Sequence, residues 1–457
     1  MKLLTRRALV VLVLSIIILL GLVIFTIGYI RDASTWVTHA SNRHLYTNAQ
    51  LMETGTIYDR KGEILFQTRD GAKKYHDNKT VRTAVLHTIG DTNDNIATGA
   101  QVAFKEKLTG WNIVSGAYRF NQRLSHFKND LHLTLDADVC MTAYNALKGR
   151  KGTVGVYNYK TGEILCMVSS PSFDPENPPD VQADPVKFEG VYINRLLSAT
   201  YTPGSAFKLV TAAAAIDNLE DIDTRIYHCD GKTNIDGVMV TCPTPHGDVS
   251  FEQALAHSCN VAFAEAILSL GASNLQDYSD MAGFNSSLMV DGIRTAAGKV
   301  NVSDAAGGDL AWAGIGQYDN TANPLCFMAY VGSIANEGVS VSPGILKGNI
   351  FSALIKPVTG KKRILSEETA EKLGNMMRKN VIDVYGEGNY QGLKLCAKSG
   401  TAQVGEDKAP HAWFVGYMDR EDCPLAFVVV VENGGSGSKV AGPVAEKVLR
   451  SAVNSMN

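Results

Sequence analysis

At 457 residues the chain is too long for one ordinary domain and fits two or three. It is 45% hydrophobic and 19% charged with a formal net charge of −3, which argues against a basic nucleic-acid-binding face and against a disordered polar chain. No internal repeat is present.

Residues Ala8 to Ile30 carry no charge, and at ~1.5 Å per residue a helix there reaches roughly 35 Å, enough for the ~30 Å hydrocarbon layer. Lys2, Arg6 and Arg7 precede this run, whereas Arg31 and Asp32 after it cancel. The charge bias therefore predicts a single-pass anchor over 8–30, a cytoplasmic tail at 1–7 and everything later outside the cell. A cleaved signal peptide fits less well, because the apolar run is too long and no A-x-A-like site follows.

Residues 31–150 read as a small α+β pedestal. A helical stalk is expected from Arg31 to Leu51, and Thr54 to Phe66 alternates around a Lys61-Gly62 turn as a hairpin. The stretch from Arg69 to Asn129 is mixed, Leu131 to Asp136 alternates as a strand, and Val139 to Lys148 has the period of an amphipathic helix. Residues 151–457 form the second expected domain. It opens with two strands between Gly152 and Val168 around Lys160-Thr161-Gly162, followed by a proline-rich loop from Ser170 to Asp180. Helical patterns dominate from Ser205 to Leu270 and recur at 321–336 and 366–380. Strands return at 393–404, 412–418 and 425–432, and a helix closes the chain from Pro443 to Val453. Strands at both ends with helices between predict an α+β fold whose sheet is an antiparallel one built from both ends.

Of eight cysteines, Cys140, Cys166, Cys259, Cys326, Cys396 and Cys423 sit singly in apolar or mixed contexts and read as core thiols. Cys229 and Cys242 bracket a short hairpin pattern and, outside the cell, could bridge. Neither C-x-x-C nor H-E-x-x-H occurs, so no metal and no cofactor is expected.

The chemistry concentrates after Tyr201-Thr-Pro-Gly204. Pro203 and Gly204 mark a turn, and the apolar run behind them reads as a buried helix beginning at or next to Ser205. Ser205 then sits where free N–H groups favour developing negative charge, and Lys208 lies one turn on, on the same face. Burial lowers the amine's pKa, and a serine beside a neutral amine is an activated nucleophile. The plainer reading is an N-cap serine with a snorkelling lysine, and two other S-x-x-K matches, Ser125/Lys128 and Ser436/Lys439, are chance. Partners further along decide between them: Ser258-Cys259-Asn260 in a helical context, and Lys398-Ser399-Gly400-Thr401 on a strand whose glycine permits close approach. Lys160-Thr-Gly also spells K-T-G but precedes Ser205 and serves as a turn, so order and context carry the signal, not the tripeptide.

These three motifs in this order resemble those of penicillin-binding proteins and class A β-lactamases. Further matches at Gly55 to Leu65, Thr161 to Leu165, Ser170 to Pro175, Asn194-Arg195, Gly316 to Tyr318 and Asn336 to Gly338 make the chain similar to the class B penicillin-binding proteins over nearly all of the expected ectodomain. Thr54 departs from the arginine common in that family before Gly55. The resemblance implies a membrane-anchored D,D-transpeptidase that cross-links peptidoglycan. Ser205 would attack the penultimate D-Ala carbonyl of a stem pentapeptide, Lys208 would take its proton, and Ser258 would relay it to the leaving group. Asn260 would hold a donor amide, Lys398 would add positive potential, and Ser399 and Thr401 would bind the terminal carboxylate. Gly400 would admit the donor as an added strand, and the N–H groups of Ser205 and Thr401 would form an oxyanion hole.

The resemblance also implies covalent acylation of Ser205 by β-lactams and a multi-spanning glycan polymerase as a membrane partner; nucleic acid is not expected. A D,D-carboxypeptidase, a β-lactamase using the same serine and a non-catalytic β-lactam sensor or scaffold stay as alternatives. His257 reads as a partly buried core histidine, His246 and His411 as surface or loop residues, and Gly434 to Ser438 as a flexible loop near the substrate groove.

Overall fold

A computed structural model describes residues 2–37, 46–47, 50–51, 54–109, 130–348, 360–405 and 407–456. The chain forms two compact units, Met1–Ile57 with Phe66–Lys74 and Phe104–Leu131, and Tyr58–Leu65 with Tyr75–Ala103 and His132–Asn457.

The first unit begins with a 36-residue helix, Lys2–Val37. Its stretch Arg6–Tyr29 is long and apolar enough to cross a membrane, and among the described residues none of its most apolar window is buried. The Ser15 and Thr26 hydroxyls donate to the carbonyls of Val11 and Leu22 one turn back, at 2.9 and 2.8 Å, so neither carries an unpaired donor along the apolar face. The helix does not continue to Leu51 as a stalk. Tyr46–Thr47 pairs antiparallel with Gln50–Leu51 instead. Residues 38–45 of the expected stalk and 110–129 of the mixed region lie outside the described residues.

The second unit is built on a five-stranded antiparallel sheet in the order Leu395–Ala402, His411–Met418, Leu425–Val431, Gly152–Asn158, Ile164–Ser170. Both ends of the domain thus meet in one sheet, as the strand pattern predicts. Trp413 and Phe414 are neighbours on one strand and so point to opposite faces. Trp413 packs on Phe327 of the helix Pro324–Ala335, and Phe414 packs on Tyr385, Tyr390 and Phe427. Both faces are covered. This is why Leu425–Val431 reads as an unbroken apolar run and not as an alternation.

The segment from Ser205 to Leu270 is less helical than its pattern, though the short hairpin expected between Cys229 and Cys242 is present. After the helix Lys208–Asn218 come two antiparallel pairs, Ile226–Cys229 with Gly247–Ser250 and Lys232–Ile235 with Val238–Thr241. Asp236 and Gly237, both at positive φ, make the tight turn that a helix could not contain. Helices resume at Phe251–Ala256 and Asn260–Leu270, with a break between them.

Candidate active site

Three segments of the second unit converge. The first is the turn carrying Ser205. Gly204–Phe207 is a 3-10 turn, and the α-helix starts at Lys208, three residues later than the sequence pattern alone suggests. The turn is tied down on every side. Gly204 N–H donates to Gly316 O at 2.8 Å, Tyr201 exchanges both backbone bonds with Ala322, and Trp413 Nε1 donates to Thr202 O at 2.9 Å. Tyr201 donates its hydroxyl to Glu432 Oε1 at 2.8 Å, and the same oxygen receives Arg195 Nε at 2.7 Å. Ser205 itself is only partly covered. It heads the helical segment, where the leading N–H groups have no intrahelical acceptor.

The second segment is the break between Ala256 and Asn260. Ser258 does not lie inside a continuous helix as its context suggests; it adopts a left-handed φ of 58°, a conformation that costs a non-glycine residue of order 1 kcal/mol and more. Lys208 Nζ donates to Ser258 O at 2.6 Å and to Asn260 Oδ1 at 2.7 Å, and lies 3.3 Å from Ser258 Oγ. The Asn260 amide is used at its other end too, with Nδ2 donating to Thr241 O at 2.6 Å. His257, expected to be partly buried, is exposed.

The third segment is the sheet's edge strand. Lys398 Nζ donates to Ser258 Oγ at 3.0 Å and to Ser399 O at 3.0 Å. One hydroxyl therefore stands between two lysine amines, and both lysines are completely buried. Burial is the main reason that Lys208 ionises at about 7 instead of 10.5, against the opposing pull of the Cys259 and Cys242 thiols. Burial also holds Lys398 well below its ordinary value, helped by the charge of Lys208. The cavity beside Tyr201, about 430 Å³ and lined by Arg195, His411 and Glu432 among others, includes none of Ser205, Lys208, Ser258 or Lys398.

Gly400 sets the distance between strand and turn: a Cβ there would lie 2.6 Å from Pro203 O and 3.1 Å from Ala206 Cβ. Tyr385, in the π-helical turn Val381–Gly386, accepts the Ser399 N–H at 2.9 Å and donates to Ser399 Oγ at 3.0 Å. This tyrosine has no sequence signature that marks it. N–H groups two residues apart on a strand point the same way, so Thr401 N–H faces the same free edge as Ser399 N–H. Thr401 is exposed, and its Oγ1 lies 3.5 Å from Gly437 N. Gly437 opens the π-helical turn Gly437–Ala441, which seats the glycine-rich segment against the edge strand.

The described thiols hold a second cluster. Cys229 and Cys242, whose bridging the sequence leaves open, are unbonded, their Sγ atoms 3.7 Å apart. Cys259 is not a solitary core thiol and His246 is not a plain loop residue. The ligand atoms of Cys229, Cys242, His246 and Cys259 all lie within 4.8 Å of one another. The fold gathers them from spacings that no short pattern covers.

A family model described as the penicillin binding protein transpeptidase domain matches residues 152–450. The peptidoglycan D,D-transpeptidase PbpA of Mycobacterium tuberculosis is 32% identical over 340 residues, 66% of this chain and 67% of that one. The protein of the same name from Mycolicibacterium smegmatis is 28% identical over 374 residues, 73% of this chain and 76% of the other. Among solved structures, a penicillin G acyl-enzyme complex of penicillin-binding protein A from M. tuberculosis superposes with a TM-score of 0.74 at 25% identity, covering 88% of this chain and 99% of that one.

Proposed function

This chain belongs to the penicillin-binding protein transpeptidase family, and from that premise we propose how its own residues carry out serine-type D,D-transpeptidation of peptidoglycan stem peptides. Ser205 Oγ attacks the carbonyl of the penultimate D-Ala. A C–O bond forms, the amide C–N bond breaks, D-Ala leaves with a proton, and an acyl-enzyme remains. An amine from a neighbouring stem then takes the acyl group and frees Ser205.

The observation that carries this reading is the Ser258 hydroxyl between two buried amines, 3.3 Å from Lys208 Nζ and 3.0 Å from Lys398 Nζ. A neutral Lys208 keeps two N–H bonds, which suffice for Ser258 O and Asn260 Oδ1, and has a lone pair left to receive a proton. Once Lys208 has taken the Ser205 proton, its third N–H can pass to Ser258 Oγ as the Ser258 O–H proton goes to the leaving nitrogen, with Lys398 donating to the same oxygen. Lys398 lends positive potential to the substrate carboxylate, with Ser399 and Thr401 as hydroxyl donors. Asn260 has one amide N–H left for the donor peptide. The Thr401 and Ser205 N–H groups serve as the oxyanion donors in this reading, and the edge strand around Gly400 accepts the extended donor as a further strand.

We place residues 1–7 in the cytoplasm, 8–30 in the membrane and the remainder outside, with 31–150 as the pedestal of a transpeptidase domain over 151–457. A membrane-embedded glycan polymerase that supplies the strands is the partner this arrangement calls for. β-Lactams acylate Ser205 in place of the stem peptide. The test is intact-mass and peptide mapping of the full chain in detergent after penicillin G. One adduct on the Ser205 peptide, lost in Ser205→Ala, is expected; an adduct that survives that substitution would refute the assignment.

A further inference from the structure

Cys229 ends one strand, Cys242 follows the hairpin Lys232 to Thr241, His246 lies in the turn before Gly247–Ser250, and Cys259 caps the helix Asn260–Leu270. A tetrahedral Zn²⁺ with Zn–S of about 2.3 Å and Zn–N of about 2.0–2.1 Å requires sulfurs about 3.8 Å apart and sulfur–nitrogen edges of about 3.6 Å. The observed edges are 3.7 Å for Cys229–Cys242, 3.8 Å for Cys242–Cys259 and 3.4 Å for Cys229 Sγ to His246 Nδ1. Three of the six edges thus match that polyhedron, and all four atoms lie within 4.8 Å of one another, close enough for small side-chain shifts to complete it.

Two further features fit a bound cation. Backbone N–H groups point at the sulfurs, Asn260 N at 3.0 Å from Cys242 Sγ and Ala262 N at 3.4 Å from Cys259 Sγ, and such donors stabilise thiolates that ligate a metal. Cys229 and Cys259 are buried while Cys242 and His246 are partly open, which gives a protected site with a way in. A disulfide accounts for less. Three thiols converge, so any one bridge strands the third and leaves the imidazole unexplained.

We propose that Cys229, Cys242, His246 and Cys259 bind one Zn²⁺ in a closed structural site, releasing up to three thiol protons as they do so, and that this ion holds the Ser258 turn. Cys259 stands between Ser258 and Asn260, the two residues that take the Lys208 amine. The ion would join that turn to the hairpin and so fix the left-handed Ser258 without covering the front of the site. Cys259 is thus a positioning residue; this second part rests on the reading of Ser205 and Ser258 given above, the metal site does not.

The full chain, purified in detergent with reductant and without chelator, should contain one zinc per molecule by elemental mass spectrometry. Replacement by Co²⁺ should give the intense visible bands of a tetrahedral site and a thiolate-to-cobalt charge-transfer band. Cys242→Ser should lose the metal, and His246→Cys, which keeps a ligand, should retain it even where the first variant folds poorly. Dipicolinate removal of zinc should slow acylation by a fluorescent penicillin at least tenfold, with recovery on adding Zn²⁺ but not Mg²⁺. A reduced chain that takes up no zinc, or a native Cys229–Cys242 disulfide in the intact mass, would overturn the site. Full-rate acylation after complete zinc removal would overturn its positioning role. Stoichiometric zinc in a chain that never acylates would uphold the site while sinking the role given to Ser205.

Discussion

The Lys208 amine makes the sharpest demand on the mechanism, because a protonated base cannot accept the Ser205 proton. Its ionisation near 7, set mainly by burial, has a worked consequence. At pH 8 about nine-tenths of the amines would be neutral, against about three in a thousand for an ordinary lysine, a gain of roughly 300-fold in the reactive form. The sign is fixed by the group. As pH rises through about 7 the base form appears, so acylation should climb about tenfold per pH unit below 6 and level off above 8. Rate constants for labelling of the full chain by a fluorescent penicillin, taken from quenched time points between pH 5.5 and 9.5, read this directly. Lys208→Arg, charged throughout that range, should show no acylation. A rate that is flat across the range would remove Lys208 as the base. One still rising tenfold per unit at pH 9 would mean that burial does not set its ionisation.

Gly400→Ala would place a methyl 2.6 Å from Pro203 O, so the edge strand must retreat from the Ser205 turn. Because ~1 Å of misplacement can cost ~100-fold in rate, acylation should fall about that much while far-UV circular dichroism is unchanged. Tyr385→Phe removes both the acceptor of Ser399 N–H and the donor to Ser399 Oγ. An unpaired buried group costs ~1–3 kcal/mol, so the second-order acylation constant should drop about tenfold while labelling still reaches completion. Arg195→Met strands Glu432, which pairs with Arg195 at 2.7 Å in a largely covered setting. Breaking such a pair costs ~3–5 kcal/mol, and a marked fall in the thermal midpoint, partly reversed by adding Glu432→Gln, is expected.

Much of this architecture was legible in the residues. The apolar run before Arg31, the strands at both ends of the second domain and the three separated motifs announce themselves by periodicity, order and spacing. What was not legible depends on the third dimension. Ser258 looks helical because Phe251 to Leu270 is apolar and almost free of breakers, yet the chain there leaves the helix at a left-handed serine. Tyr385 gives no signal because its function comes from one hydroxyl meeting one strand, and neither has a pattern. The cysteine–histidine cluster stayed hidden because its ligands lie at 229, 242, 246 and 259, joined by strand pairing and not by a short spacing. Cys242 and His246 look like loop residues until the hairpin brings them to Cys259.

These hidden elements share one physical task. A buried amine repels its own proton, a second buried amine beside it makes that worse, and a serine in a left-handed conformation is strained. None of the three is stable in isolation. They persist here because stronger constraints enclose them: a sheet covered on both faces beneath Lys398, the Arg195–Glu432–Tyr201 cluster behind the Ser205 turn, and the converging thiols behind Ser258. The free energy held in the site is the same that lets a lysine act as a base near neutral pH. Relaxing the burial around Lys208 should therefore lower reactivity before it unfolds the domain, and the loss should show as an upward move of the pH midpoint toward that of an ordinary lysine.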